Sequence, residues 1–242
     1  MLKKLTKMLK KDFGKCAAVI VAAGSSSRMQ GTDKILASLD GEPLIAHTIR
    51  AFQERPVIHE IVVVTREELL SQLSRLCQQR GFDKVTMIVP GGETRVHSVM
   101  KGLDQVSKDV DLAAIHDGAR PFVTQQIIEQ TVRKAWSFHA AAPAVPVKDT
   151  IKAAENRIVT DTPDRSRLFA IQTPQVFDFD LLRGALQKAL DEKLPITDDC
   201  SAVEALGMSV YLTDGSDENI KVTTPTDLIL AEAIQHSRRQ QP

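Results

Sequence analysis

Aromatic side chains are scarce. One Trp, one Tyr and eight Phe amount to 4% of the 242 residues, too few for the row of stacking platforms that holds single-stranded nucleic acid. An excess of either charge is also missing, since Lys and Arg total 31 and Asp and Glu total 31. No global field therefore favours nucleic acid or a membrane surface, and any anion site must be assembled by local clustering. The three cysteines, Cys16, Cys77 and Cys200, are odd in number, scattered, and without His or Cys at metal-ligand spacing. That excludes a disulfide framework, points to the reducing cytoplasm, and makes Cys16 and Cys77 small buried hydrophobes rather than redox groups. No uninterrupted apolar run approaches the ~18 residues of a membrane span. Neither the Walker spacing nor the Gly-x-Gly-x-x-Gly fingerprint is present, because Gly24 has no glycine partner before Gly31. An ATPase and a dehydrogenase both lose ground.

What is present is a core-forming chain with 43% hydrophobic residues, of a length that suits one large α/β domain, read here as residues 16–242. Residues 1–15 differ in kind, with six lysines and apolar Leu2, Leu5, Met8, Leu9 and Phe13 at roughly helical spacing. They read as a basic extension outside the core, with Met8 an alternative start. The pattern also suits an anionic membrane surface, but it lacks the apolar core of a signal peptide.

Strand-like apolar runs at 17–22, 60–64, 84–89, 112–116, 140–147 and 208–212 alternate with helical patterns at 43–53, 67–80, 93–106, 125–138, 179–190 and 226–235. Thr224-Pro225-Thr226-Asp227 opens the last of these with a cap candidate, Pro at the first helical position and an early acid. The order predicts an α/β fold with a doubly wound, mostly parallel sheet. Segment 147–164 departs from it: polar, with a turn signal at Glu155-Asn156-Arg157 between Ile151 and Ile158-Val159-Thr160, it reads as a projecting β-hairpin. A hairpin without a core of its own needs a partner, so a homodimer contact through this arm is expected.

The most informative stretch is Ala22-Ala23-Gly24-Ser25-Ser26-Ser27, which follows an apolar strand and leads to Arg28 and Lys34. Small residues with a glycine leave backbone N–H groups free to converge on an anion, and two cations complete the neutralisation. In doubly wound sheets ligands sit beyond the carboxyl ends of the strands. Pro90-Gly91-Gly92-Glu93 and Asp117-Gly118-Ala119-Arg120 fall at such ends too.

Seven motifs in order now form a pattern: Ala22-Ala23-Gly24 with Arg28 and Lys34; Gly91-Gly92-Glu93-Thr94-Arg95 with Ser98; His116-Asp117-Gly118-Ala119-Arg120-Pro121; Pro146-Val147-Lys148-Asp149-Thr150; Gln172-Thr173-Pro174-Gln175; Thr197-Asp198-Asp199; and Asn219-Ile220-Lys221-Val222-Thr223. Together they closely resemble the 2-C-methyl-D-erythritol 4-phosphate cytidylyltransferase family over about residues 16–236. The resemblance implies a Rossmann-like sheet of the nucleotide-diphospho-sugar transferase type. It also implies a reaction of non-mevalonate isoprenoid synthesis, in which the acceptor phosphate attacks the α-phosphorus of CTP and pyrophosphate leaves. Fixed cations and Mg²⁺, or another divalent cation, are the tools such a transfer needs. A phosphate monoester is already mostly ionised, so no general base is required, in keeping with the lack of a Ser-His-Asp set.

By the same resemblance Arg28, Lys34, Arg165 and Lys221 are the catalytic cations, and Ala22 to Ser27 hold the triphosphate through their backbone. Gly91, Gly92, Glu93 and Ser98 recognise cytosine. Asp117 meets CTP, the sugar alcohol and Mg²⁺; Asp217, by its place shortly before Lys221, reads either as a second metal contact or as a solvated acid of the 214–218 loop. Arg120, Thr150, Arg165, Thr173 and Thr197 surround the acceptor, and Thr150 and Arg165 reach the neighbouring subunit's site. The family's Pro-Lys-Gln reads Asp33-Lys34-Ile35 here, one residue closer to Arg28. His47, His59, His97, His139 and His236 have no paired ligands at useful spacing, and His116 reads as a strand-end residue shaping the loop of Asp117.

Three other readings compete. A ribitol-5-phosphate cytidylyltransferase shares several motifs, but Lys148-Asp149-Thr150 and Pro163-Asp164-Arg165 favour methylerythritol phosphate. A glycosyltransferase would carry Asp-x-Asp after a strand, whereas Asp109-Val110-Asp111 precedes one. An inactive nucleotide-binding regulator would not need every cation. No nucleic acid or membrane partner is expected.

Overall fold

Two faces organise the centre of the fold. The computed structural model describes residues 14–24 and 33–240, so the reading of residues 1–13 lies outside it. Strand β1 (Cys16–Val21) is buried almost throughout, and a strand covered on both sides shows a continuous apolar run rather than alternation. Its neighbours in sequence still enter different cores. Cys16, Ala18 and Ile20 pack in one, Ala17 and Val19 in the other, as the two-residue period requires.

After β1 come the short strands β2 (Ser38–Leu39) and β3 (Glu42–Pro43), then α1 (Leu44–Gln53), β4 (Ile58–Thr65), α2 (Leu70–Arg80), β5 (Val85–Pro90), α3 (Arg95–Leu103), β6 (Leu112–Asp117), α4 (Gln125–Phe138) and β7 (Ala140–Pro146). Beyond β7 lie β8 (Ala153–Glu155), β9 (Ile158–Asp161), β10 (Phe169–Ile171), β11 (Gln175–Asp178), α5 (Phe179–Asp191), α6 (Asp199–Glu204), β12 (Tyr211–Asp214) and α7 (Pro225–Gln240). The main sheet runs β5-β4-β1-β6-β11-β7, with β10 and β12 also paired to β7. Pairings of β1 with β4 and β6, of β4 with β5 and of β12 with β7 are parallel, and those of β10 and β11 are antiparallel. The mostly parallel, doubly wound sheet expected from the sequence is the one adopted.

Helices α1, α2 and α4 cover one face through Ile49, Phe52, Leu73, Ile128 and Val132. Helices α3, α5 and α6 cover the other through Val99, Leu103, Leu182, Leu186 and Val203. Strands β4 and β5 lie on one side of β1 and β6 on the other, which makes the carboxyl end of β1 a topological switch point, where such sheets open a crevice.

The arm is present as β8 and β9, whose residues are all exposed. Asn156 and Arg157 have φ of 49° and 67°, the two positive values that a type I′ hairpin turn demands. Elsewhere the structure moves some boundaries. The strand read at 208–212 is β12, because its register against Ala141 to Ala144 begins at Tyr211. The helix read at 93–106 starts at Arg95, since the Thr94 side chain accepts the His97 N–H and caps it there. Strands β10 and β11 and helix α6 escaped the periodicity reading. Each is six residues or fewer, shorter than the window a repeat needs.

Candidate active site

The crevice is built by extending the central strands one step. Ala22 N–H donates to Val64 O at 2.7 Å, Gly91 N–H to Thr65 O at 2.7 Å and Gly118 N–H to Val21 O at 2.8 Å. These bonds tie three loops to the same sheet edge. Between them lies a cavity of about 370 Å³ walled by Ala22, Ala23, Gly24 and Lys34 on one side, Gly92, Glu93, Thr94, Arg95 and Ser98 on another, and Asp117, Ala119 and Lys221 on a third. Larger side chains are shut out of the glycine loop: a Cβ at Gly91 would sit 2.4 Å from that of Ala23, and one at Gly92 2.4 Å from that of His97. Ser98 Oγ accepts the Gly92 N–H at 3.0 Å and donates to Thr94 O at 3.0 Å, which fixes the loop against α3.

Asp117, at the end of β6 and only 8% exposed, is the electrostatic centre. Lys221 Nζ lies 3.0 Å and Arg120 Nε 3.3 Å from its Oδ2. Burial alone would push the carboxyl up, but Lys221, Arg95 and Arg120 together hold it down at about 2, so it is a carboxylate at any physiological pH. Lys221 is delivered by the next residue, because Val222 is fully buried and its N–H donates to Ala119 O at 2.9 Å. Arg120 is held by Asn219, whose carbonyl accepts from Nη1 at 2.6 Å. The Asn219 side chain in turn donates to Gln172 Oε1 and Thr173 O, each at 3.1 Å.

Behind Asp117, the fully buried His116 settles its own tautomer. Its Nε2 lies 3.1 Å from Arg120 O, a group that only accepts, so Nε2 carries the hydrogen. Nδ1 is then the acceptor for Thr173 Oγ1 at 3.0 Å, and that oxygen accepts the Asp117 N–H at 3.2 Å. Burial keeps the ring neutral down to about pH 4. Between pH 6.5 and about 4 the unfolded chain therefore takes up a proton that the folded chain refuses, so stability is fully present above this window and falls as pH drops through it. The loss attributable to His116 is about 3 kcal/mol. Urea titrations between pH 7.5 and 4 should show it, and His116→Gln should flatten that slope. Equal slopes in both proteins would remove His116 as the cause.

The expected site residues divide into groups. Ala22, Ala23, Gly24, Lys34, Gly92, Glu93, Ser98, Asp117 and Lys221 line the cavity, with Gly91 tied beside them and Arg120 on Asp117. Ser25, Ser26, Ser27 and Arg28 lie outside the described residues. Thr173 is buried and its hydroxyl is engaged by His116 and Asp117. Thr197 is exposed at the start of α6, with its N–H on Ser201 Oγ at 3.0 Å. Thr150 and Arg165 are exposed on the arm and do not line the cavity, and Arg165 donates to Lys148 O at 2.7 Å. Asp217 pairs with Lys148 at the surface. Among the described residues, no three His, Cys, Asp or Glu side chains converge as a metal cluster.

One cation was missed. Arg95 lines the cavity and its Nη2 lies 2.6 Å from Oδ2 of the fully buried Asp199. Complete burial pushes the Asp199 carboxyl above its ordinary range despite Arg95. Both residues stand inside recognised motifs, but their pairing spans 104 positions and no local pattern carries it. The three cysteines are free and buried, and burial raises the thiols, Cys16 to about 12 and Cys77 to about 11. Such thiols are poor nucleophiles.

Comparison with known proteins gives a consistent picture. The model of the 2-C-methyl-D-erythritol 4-phosphate cytidylyltransferase family matches residues 16–237. A protein of that name from Caldanaerobacter subterraneus is 47% identical over 223 residues, covering 89% of this chain and 96% of the relative. One from Halalkalibacterium halodurans is 45% identical over 219 residues, covering 90% and 96%. Among solved structures, 4-diphosphocytidyl-2C-methyl-D-erythritol synthase from Anaerococcus prevotii superposes with a TM-score of 0.83 at 28% identity, covering 93% of this chain and 97% of that one. The Thermus thermophilus cytidylyltransferase gives 0.74 at 31% identity, covering 90% and 98%.

Proposed function

This chain belongs to the 2-C-methyl-D-erythritol 4-phosphate cytidylyltransferase family, and from that premise we propose how its own residues carry out the transfer. The enzyme joins a cytidylyl group from CTP to 2-C-methyl-D-erythritol 4-phosphate in isoprenoid precursor synthesis. A phosphate oxygen of the acceptor forms a bond to the α-phosphorus, the α–β bridging P–O bond breaks, and pyrophosphate departs with that electron pair. No proton has to be removed from the attacking oxygen. The work left to the protein is orientation and charge stabilisation.

The observation that carries this reading is the ionised Asp117 paired with Lys221 on the wall of a cavity whose other sides are a backbone cradle and a glycine loop. Ala22, Ala23 and Gly24, with Ser25 to Ser27, hold the triphosphate. Lys34 and Arg28 meet the charge that builds on pyrophosphate. Gly91, Gly92, Glu93 and Ser98 take cytosine, where bare glycines allow main-chain groups to approach the base edge. Lys221 and Arg120 draw the acceptor phosphate toward the α-phosphorus, and Thr197 borders its path. Thr173 acts at one remove, by fixing His116 and the Asp117 backbone.

Asp117 also fits a hard divalent cation such as Mg²⁺. It is an oxygen donor that stays ionised, and the contacts with Lys221 and Arg120 both fall on Oδ2, which leaves Oδ1 as a ligand. A bound Mg²⁺ would supply neutralisation of the phosphate oxygens. Asp217 joins this site only by leaving Lys148.

The arm gives the second half of the site in a homodimer. Its support is exposure: Ile158 and Val159 are 71% and 55% exposed on a hairpin with no core beneath it, and Thr150 and Arg165 on the same segment lie off the cavity wall. In the dimer these two reach the partner subunit's acceptor. Among the described residues no helix is long and apolar enough to cross a membrane, and three reduced, buried thiols support placement in the cytoplasm.

The test is pyrophosphate release with CTP and Mg²⁺ in three parallel reactions, with methylerythritol 4-phosphate, with ribitol 5-phosphate and without acceptor. Release with the first alone is expected. Release with ribitol phosphate would move the acceptor assignment while keeping the fold, and binding of CTP without turnover would favour a regulator.

A further inference from the structure

We propose that Asp199 is a positioning residue that grips the Arg95 guanidinium on the wall of the nucleotide cavity and thereby sets the affinity for CTP. The inference deepens the cytidylyltransferase reading and rests on it for the ligand's identity.

Asp199 is fully buried, and its Oδ2 meets Arg95 Nη2 at 2.6 Å. Among the described residues this is the one hydrogen bond the guanidinium makes. The other carboxylate oxygen, Oδ1, is buried with no hydrogen-bond partner among them. A guanidinium and a carboxylate left to themselves close into two parallel bonds. Here the grip is by one nitrogen, so the other N–H groups of the fork stay available to whatever fills the cavity that Arg95 lines.

The anchor is itself held firmly. Gln175, 2% exposed on β11, accepts the N–H groups of Asp199 and Cys200 at 3.1 and 3.2 Å and donates to Asp198 Oδ2 at 2.7 Å. Two residues earlier, Thr173 holds the Asp117 N–H. One short segment therefore places both Asp117 and the acid that places Arg95. Without that acid, Arg95 would keep only the through-space attraction of Asp117 and Asp198 while sharing the cavity lining with Lys34 and Lys221, and no hydrogen bond among the described residues would fix its guanidinium there.

Asp199→Asn keeps the shape and removes the charge. In calorimetric titration without acceptor it should weaken CTP binding about tenfold, the scale of one charge-assisted contact. In turnover, KM for CTP should rise similarly while KM for methylerythritol phosphate stays within about twofold and the melting temperature does not fall. Arg95→Met should reproduce the loss, and the double variant should be no worse than Arg95→Met. Equal rises in both KM values with a lower melting temperature, or losses that multiply in the double variant, would overturn the role. Should Asp199→Asn not fold, Arg95→Met decides on the same titration, and an unchanged Kd overturns it. If the wild-type chain binds CTP but releases no pyrophosphate with methylerythritol phosphate, the activity assignment fails while the comparison of Kd values still decides the role of Asp199.

Discussion

Lys221→Met lowers kcat for cytidylyl transfer by about 10²–10³, the effect of deleting one preorganised charge at a developing anion, and leaves the melting temperature within a few degrees. The first half follows from position. Lys221 Nζ is 3.0 Å from Asp117 Oδ2 on the cavity wall, where low dielectric strengthens its interaction with phosphoryl oxygens. The second half follows from exposure. The lysine side chain is 41% exposed, so its loss removes little packing, and Asp117 keeps Arg120 as a counter-charge. Arg120→Met makes the contrast. That side chain is 13% exposed and is bound to both Asp117 and Asn219 O, so its removal leaves buried acceptors unmet and costs about 3–5 kcal/mol of stability. Steady-state kinetics beside thermal melts separates the two effects. An unchanged kcat with only a raised KM for methylerythritol phosphate would mean that Lys221 binds ground state and transition state alike.

The same division between local and distant information explains what the sequence disclosed. Strands β1, β4 and β6 announced themselves because burial on both faces leaves short apolar runs, and Gly91-Gly92 and His116-Asp117 stood out because they interrupt such runs at the carboxyl ends. Asn156 and Arg157 marked the arm by turn chemistry alone. Helix α6 did not show, for its six residues are organised by a capping box between Asp198 and Ser201 and by Gln175, not by amphipathic repetition. The role of the Thr173 hydroxyl was also out of reach. Its partners His116 and Asp117 are 57 and 56 positions away, and only the antiparallel pairing of β11 with β6 brings the segments together. Arg95 and Asp199 are the extreme case, two charged residues legible one by one whose relation exists only in the fold.

Subunits carrying Lys221→Met and subunits carrying Arg165→Ala, each nearly inactive alone, should recover roughly a quarter of wild-type activity when combined as a random mixture of dimers. Lys221 belongs to the cavity, whereas Arg165 is exposed on the arm and lines no part of it. If the arm completes the partner's site, a mixed dimer contains one site with both substitutions and one with neither. Random pairing makes about half of the dimers mixed, and half of their sites intact. A site completed within one subunit behaves otherwise, because every site in the mixture then carries one defect and no recovery occurs. Co-expression with two affinity tags isolates the mixed dimer, in which recovery rises to about half. Mixed dimers that remain inactive would place Arg165 in its own subunit's chemistry, and an Arg165→Ala homodimer that turns over normally would place it outside the chemistry altogether. Recovery would show that the polar, fully exposed hairpin exists to carry a cation across the subunit boundary to the acceptor phosphate.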